Sequence, residues 1–152
     1  MNGTVRIMGS HDHGDGRPEL IKTINDAHCA QDGDYFIITY DEAQDSEGNQ
    51  VNASGKSQKD SRHVIHHTLT IGPGKVIMTR SGALTSELHF GLGKVWHTDY
   101  ETHFGVMKMT AVTRQLLVEI TPKKISAHLQ YELQMDGNKV SDSKVRISFV
   151  YN

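Results

Sequence analysis

From Ile125 to Met135 the chain alternates without a break. Ile125, Ala127, Leu129, Tyr131, Leu133 and Met135 fall on one side, and Ser126, His128, Gln130, Glu132 and Gln134 on the other. A period of two is the mark of a strand with one buried face. Lys144 to Tyr151 repeats it through Val145, Ile147, Phe149 and Tyr151, and Asp136-Gly137-Asn138 supplies turn residues between the two, which predicts a C-terminal antiparallel hairpin. Lys94 to Phe104 sets Trp96, Thr98, Tyr100, Thr102 and Phe104 against Val95, His97, Asp99, Glu101 and His103, an aromatic face opposite a polar one. Extended, β-branched stretches predict further strands over Glu19 to Cys29, Asp34 to Glu42, His63 to Ile71, Lys75 to Arg80 and Ser86 to Leu92. They are parted by Asp32-Gly33, Gly72-Pro73-Gly74, Ser81-Gly82 and the Gly91/Gly93 bend. Ala111 to Ile120 has helix-like spacing at Leu117 and Ile120, but its β-branched Val112, Thr113, Val118 and Ile120 weight it to strand.

About ten short strands with regular turn signals and no convincing amphipathic helix predict an all-β fold, either a sandwich or a closed antiparallel barrel. The succession of hairpins favours the barrel. Two stretches stand outside the pattern. Ala43 to Asp60 has only Ala43, Val51 and Ala53 as apolar residues and reads as a mobile polar loop. Ser10 to Pro18, with His11, Asp12, His13, Gly14, Asp15 and Gly16, reads as a second loose segment. The 152 residues suit one domain over 1–152.

Charge narrows the partners. With 16 Lys and Arg against 18 Asp and Glu, the net charge is −2, so no cationic excess draws in nucleic acid or a membrane surface. The single Cys29 forms no intramolecular disulfide and Met1 to Arg6 lacks the apolar segment of a signal peptide, so the expected location is cytoplasmic.

The run Val76-Ile77-Met78-Thr79-Arg80-Ser81-Gly82, followed by Phe90, Gly93, Tyr100, Thr102 and Gly105, resembles the YwiB-like family of small uncharacterised bacterial proteins. The likeness extends over Glu19 to Tyr151, with Tyr35 to Glu42 and Tyr131 as further matches. It implies a calycin-like, or lipocalin-like, closed barrel of about eight to ten strands and carries no activity with it. The long Ala43 to Asp60 segment and the histidine-rich first loop depart from the family pattern.

Arg80 is the most informative residue. Alternation places it on the face of Val76 and Met78, so an inward apolar pair brings a guanidinium into the barrel, where its five donors need acceptors. One reading is an anchor for a small amphipathic or anionic ligand, with Tyr100 and Thr102 as hydroxyl partners and Phe90 and Trp96 as walls. The other is an arginine that closes the barrel end, stacked on an aromatic ring. A barrel filled by its own side chains would instead act as an assembly module, with a second copy of the chain among its candidate partners.

Ten histidines raise metal chemistry, and a metal-dependent enzyme on the His97, Asp99, Glu101, His103 row is a third reading. Along one strand His97 and His103 lie too far apart for one ion. His66 and His67 point to opposite faces. Ser81 lacks a Gly-x-Ser-x-Gly elbow, and Gly91-Leu92-Gly93-Lys94 has Leu88 and Val95 where a phosphate loop needs Gly and Ser or Thr. No cofactor and no catalytic set is expected.

Overall fold

The computed structural model describes residues 1–44, 50–51, 64–82, 85–102 and 104–152, without the side chains of 43, 44, 50, 51, 101 and 102. Its strands are β1 (Asn2–Asp12), β2 (Glu19–Asp32), β3 (Tyr35–Gln44), β4 (Gln50–Val51), β5 (Val64–Gly72), β6 (Lys75–Gly82), β7 (Ser86–Gly91), β8 (Val95–Thr102), β9 (Gly105–Ile120), β10 (Lys124–Met135) and β11 (Asn138–Tyr151). Among the described residues no helix is long and apolar enough to cross a bilayer. One antiparallel sheet, in the order β7-β6-β5-β3-β2-β1-β11-β10-β9-β8 with β4 beside β3, curls into a nearly closed barrel.

Most predicted strands are present, including β9, where tertiary pairing with β8 and β10 settles the choice between helix and strand. β1 corrects the sequence reading. Ser10, His11 and Asp12 belong to a strand paired with both β2 and β11, not to a loop. Glycines hid it: the inward row of β1 is Gly3, Val5, Ile7, Gly9 and His11, apolar only at its centre. Gly3 is required there, because a Cβ would overlap the Val150 carbonyl and the Phe149 ring. Ala43, Gln44, Gln50 and Val51 are likewise strand residues, and the rest of the predicted 43–60 loop lies outside the described residues.

β10 and β11 turn through Asp136 and Gly137, with φ of 49° and 84°, a two-residue hairpin that demands left-handed backbone at both positions. At the opposite seam β7 and β8 close by individual contacts. Trp96 Nε1 donates to the Glu87 carbonyl at 3.1 Å and its ring stacks on His89 at 3.7 Å. Below it, Lys94 N donates to Gly91 O at 2.8 Å and Gly91 N to Thr113 Oγ1 at 3.3 Å.

The core fills one part of the barrel, with Val5, Cys29, Ile38, Ile71, Val76, Phe90, Ile125, Ala127, Ile147 and Phe149 fully buried. Across β3, β5, β6 and β7 the inward positions form three registered rows. Phe36, Ile71, Val76 and Phe90 make the first, and Ile38, Leu69, Met78 and Leu88 the second. Tyr40, His67, Arg80 and Ser86 make the third, so all four strands change from apolar to polar at one height. That change locates the site.

Candidate functional site

Alternation along β6 does turn Arg80 inward with Val76 and Met78, and it is half-buried there. Its cross-strand partners are His67 on β5 and Ser86 on β7. Arg80 Nε donates to Ser86 Oγ at 3.0 Å, and among the described residues the guanidinium forms no ion pair. Beside it, the His67 ring lies parallel to Tyr40, 4.6 Å between centroids and 2° between planes. His67 Nε2 is 3.0 Å from Glu42 Oε1, with both side chains largely buried at 11% and 15% exposure. His66 points outward to Asp41 at 2.6 Å, so the two adjacent histidines do face opposite sides.

A second polar row faces the first. His11, Ser143, Tyr131 and Thr113 are partners in register across β1, β11, β10 and β9. His11 Nδ1 lies 2.7 Å from Ser143 Oγ, which is 3.2 Å from Ser141 Oγ. The Tyr131 ring meets Phe90 at 4.7 Å, so the core phenylalanine forms the floor between the two rows. Burial pushes the Tyr40 phenol well above its ordinary value and Glu42 adds to the rise, while the nearby Arg80 opposes it. Burial likewise raises Tyr131, against the hydrogen bond to Ser143 and the charge of Arg80. Both phenols are therefore neutral donors close to one guanidinium. Burial lowers the pKa of His11, which favours its neutral form.

The structure assembles the predicted set only in part. Phe90 is fully buried beneath the site. Tyr100 is half-buried on the face of β8 shared with Thr98 and Trp96, whose partners Met109 and Ala111 are core residues. Trp96 is spent on the seam with His89 and the Glu87 carbonyl. The Thr102 side chain lies outside the described residues, as do the Glu101 side chain and His103 of the proposed metal row. His97 and Asp99 are exposed, with His97 Nδ1 3.0 Å from Thr110 Oγ1. Among the described residues no three His, Cys, Asp or Glu side chains converge as metal ligands.

The family model for a domain of unknown function, DUF1934, matches residues 5–147. The chain belongs to the DUF1934 family. A search of solved structures places this DUF1934 barrel beside the crystal structure of the YwiB protein from Bacillus subtilis. The two are 16% identical with a TM-score of 0.78, over 99% of this chain and 92% of that one, a likeness of fold. No curated protein matches.

Sequence reading of this DUF1934 chain missed Tyr40, Glu42, His67, Tyr131, Ser143 and His11. The signal for the first two was present, since Phe36, Ile38, Tyr40 and Glu42 run down one face of β3 from apolar to polar. Nothing local marks His67 or His11, because their significance comes from partners on other strands.

Proposed function

We propose that this barrel binds a small amphipathic or anionic ligand in the cytoplasm, with Arg80 as the anchor for its anionic group. One observation carries the reading: a half-buried guanidinium held by the Ser86 hydroxyl, with no carboxylate paired to it among the described residues. A cation drawn from water costs several kcal/mol unless an anion compensates it, and a ligand carboxylate or phosphate takes the bidentate place that a protein carboxylate would otherwise fill. Tyr40 and Tyr131, kept neutral by burial, are hydroxyl donors toward the same anion. Phe90, Met78 and Leu88 offer the apolar floor, and Tyr100 on β8 adds a further hydroxyl.

The test is equilibrium titration of the wild type with small amphipathic carboxylates, sulfonates and phosphates, followed by Trp96 fluorescence. Arg80→Met is expected to weaken binding by about 10- to 150-fold, the loss of a charge-assisted hydrogen bond of about 1.5–3 kcal/mol. Equal affinity in the two proteins refutes the anchor.

A second reading, self-assembly, draws on β2. Over Glu19 to Ala27 this strand pairs with β1 alone among the described residues, and Leu20, Ile21 and Ile24 on it are exposed. An unpaired apolar edge is a template for another strand. Light scattering decides it: a dimer that Ile24→Lys dissociates supports edge pairing, and a monomer at all concentrations removes it.

A further inference from the structure

β2 and β3 run together only from His28–Thr39 to Asp32–Tyr35. Beyond that pair the strands part, and a cleft of about 820 Å³ opens between them, lined by Asn25, Asp26, Ala27, Thr39, Tyr40 and Asp41 among others. Asn25 stands opposite Val5 on the inward side of β2, only 8% exposed. Its Nδ2 has no hydrogen-bond partner among the described residues. A buried amide donor without an acceptor is uncommon in a folded chain and calls for an explanation. Leaving it unmet costs stability that an apolar residue of the same shape would not.

Two features say what would meet it. The amide nitrogen only donates, so its partner is an oxygen acceptor. Asp26 and Asp41 stand beside the cleft, so a second anionic group is disfavoured there and a neutral carbonyl is favoured. Tyr40 ties the cleft to the interior. It lines the opening, stacks on His67, and its phenol feels the charge of Arg80.

We propose that this cleft is the mouth of the Arg80 pocket and that Asn25 is its second anchor, donating to a neutral carbonyl of a ligand whose carboxylate reaches Arg80. The ligand class is then acylated carboxylates, of which N-acyl amino acids are the simplest. The inference rests on the reading of Arg80 as an anion anchor.

N-acetyl-L-leucine and 4-methylpentanoate share a branched apolar chain and a carboxylate, and only the first carries the acetamido carbonyl. Calorimetric titration of the wild type is expected to favour N-acetyl-L-leucine by about tenfold, the worth of one hydrogen bond. In Asn25→Leu the preference disappears while 4-methylpentanoate binds as before, and the melting temperature is equal to or above that of the wild type because the orphaned donor is gone. Arg80→Met weakens both ligands alike, by about 10- to 150-fold. In the wild type, the Asn25 side-chain amide resonances shift with N-acetyl-L-leucine and not with 4-methylpentanoate, a readout that needs no variant.

The Asn25 anchor is overturned if the wild type binds neither compound, if it does not discriminate between them, or if Asn25→Leu weakens both alike. When Arg80→Met still weakens binding to that extent in those last two cases, the Arg80 reading stands alone. Undiminished binding by Arg80→Met overturns both.

Discussion

Arg80 and Asn25 share an energetic signature: each holds polar capacity inside the barrel that its neighbours among the described residues do not use up. Groups held for a ligand cost the free protein stability, so Arg80→Met is expected to unfold at equal or higher denaturant concentration than the wild type while binding worsens. A clear loss of stability in urea would instead mark Arg80 as a structural brace. The tyrosines give a separate pH signature. Because folding raises the Tyr40 and Tyr131 phenols, the native state keeps protons that the unfolded chain releases above about pH 10. Their contribution is complete below that pH and is lost as pH climbs toward the folded values. Tyr40→Phe is therefore expected to unfold at higher pH than the wild type in an alkaline titration followed by circular dichroism. His11 runs the opposite way. Its folded pKa is lowered chiefly by burial, so its contribution is present above about pH 6.5 and is lost as pH falls through the folded value. His11→Gln should flatten that acid limb.

At the scale of elements, β2 divides at His28. From His28 to Asp32 it is paired on both edges or lies beside β3, while Glu19 to Ala27 pairs on one edge only. Hydrogen exchange should find fast amides at the alternate residues of Glu19 to Ala27 whose N–H groups point away from β1, and slow ones between them. Uniform protection along the whole strand would mean the cleft is filled. The β10–β11 turn makes a second test. Gly137 has φ of 84°, so Gly137→Ala is expected to destabilise the fold by about 1 kcal/mol in urea titration.

Most of these elements could be read from the chain, because inward and outward residues alternate wherever one face is buried, as in Ile125 to Met135. β1 could not, since Gly3 and Gly9 stand where an apolar side chain would have declared the face. The same limit applies to the site. Arg80 was legible because Val76 and Met78 precede it on its own strand. His67 and Ser86 became its neighbours only through pairing across β5, β6 and β7, and register between strands is not written in either strand alone. Trp96 and Phe90 were read as walls, but packing assigned one to the seam and the other to the core floor.

At the scale of the whole molecule, the barrel is a sheet whose ends meet through side chains and turn amides at β7 and β8, and among the described residues its wall parts between β2 and β3. The seam hangs on Trp96, which stacks on His89 and donates to the Glu87 carbonyl. Tyr40 lines that opening and stacks on His67, the cross-strand neighbour of Arg80 in the polar row above the core. The most direct test of that arrangement compares native and denaturing mass spectra of untagged wild type and Arg80→Met, expressed and purified alike. The wild type is expected to carry the extra mass of an organic anion, released on denaturation, and Arg80→Met to appear at its bare mass. The same adduct on both proteins would contradict it.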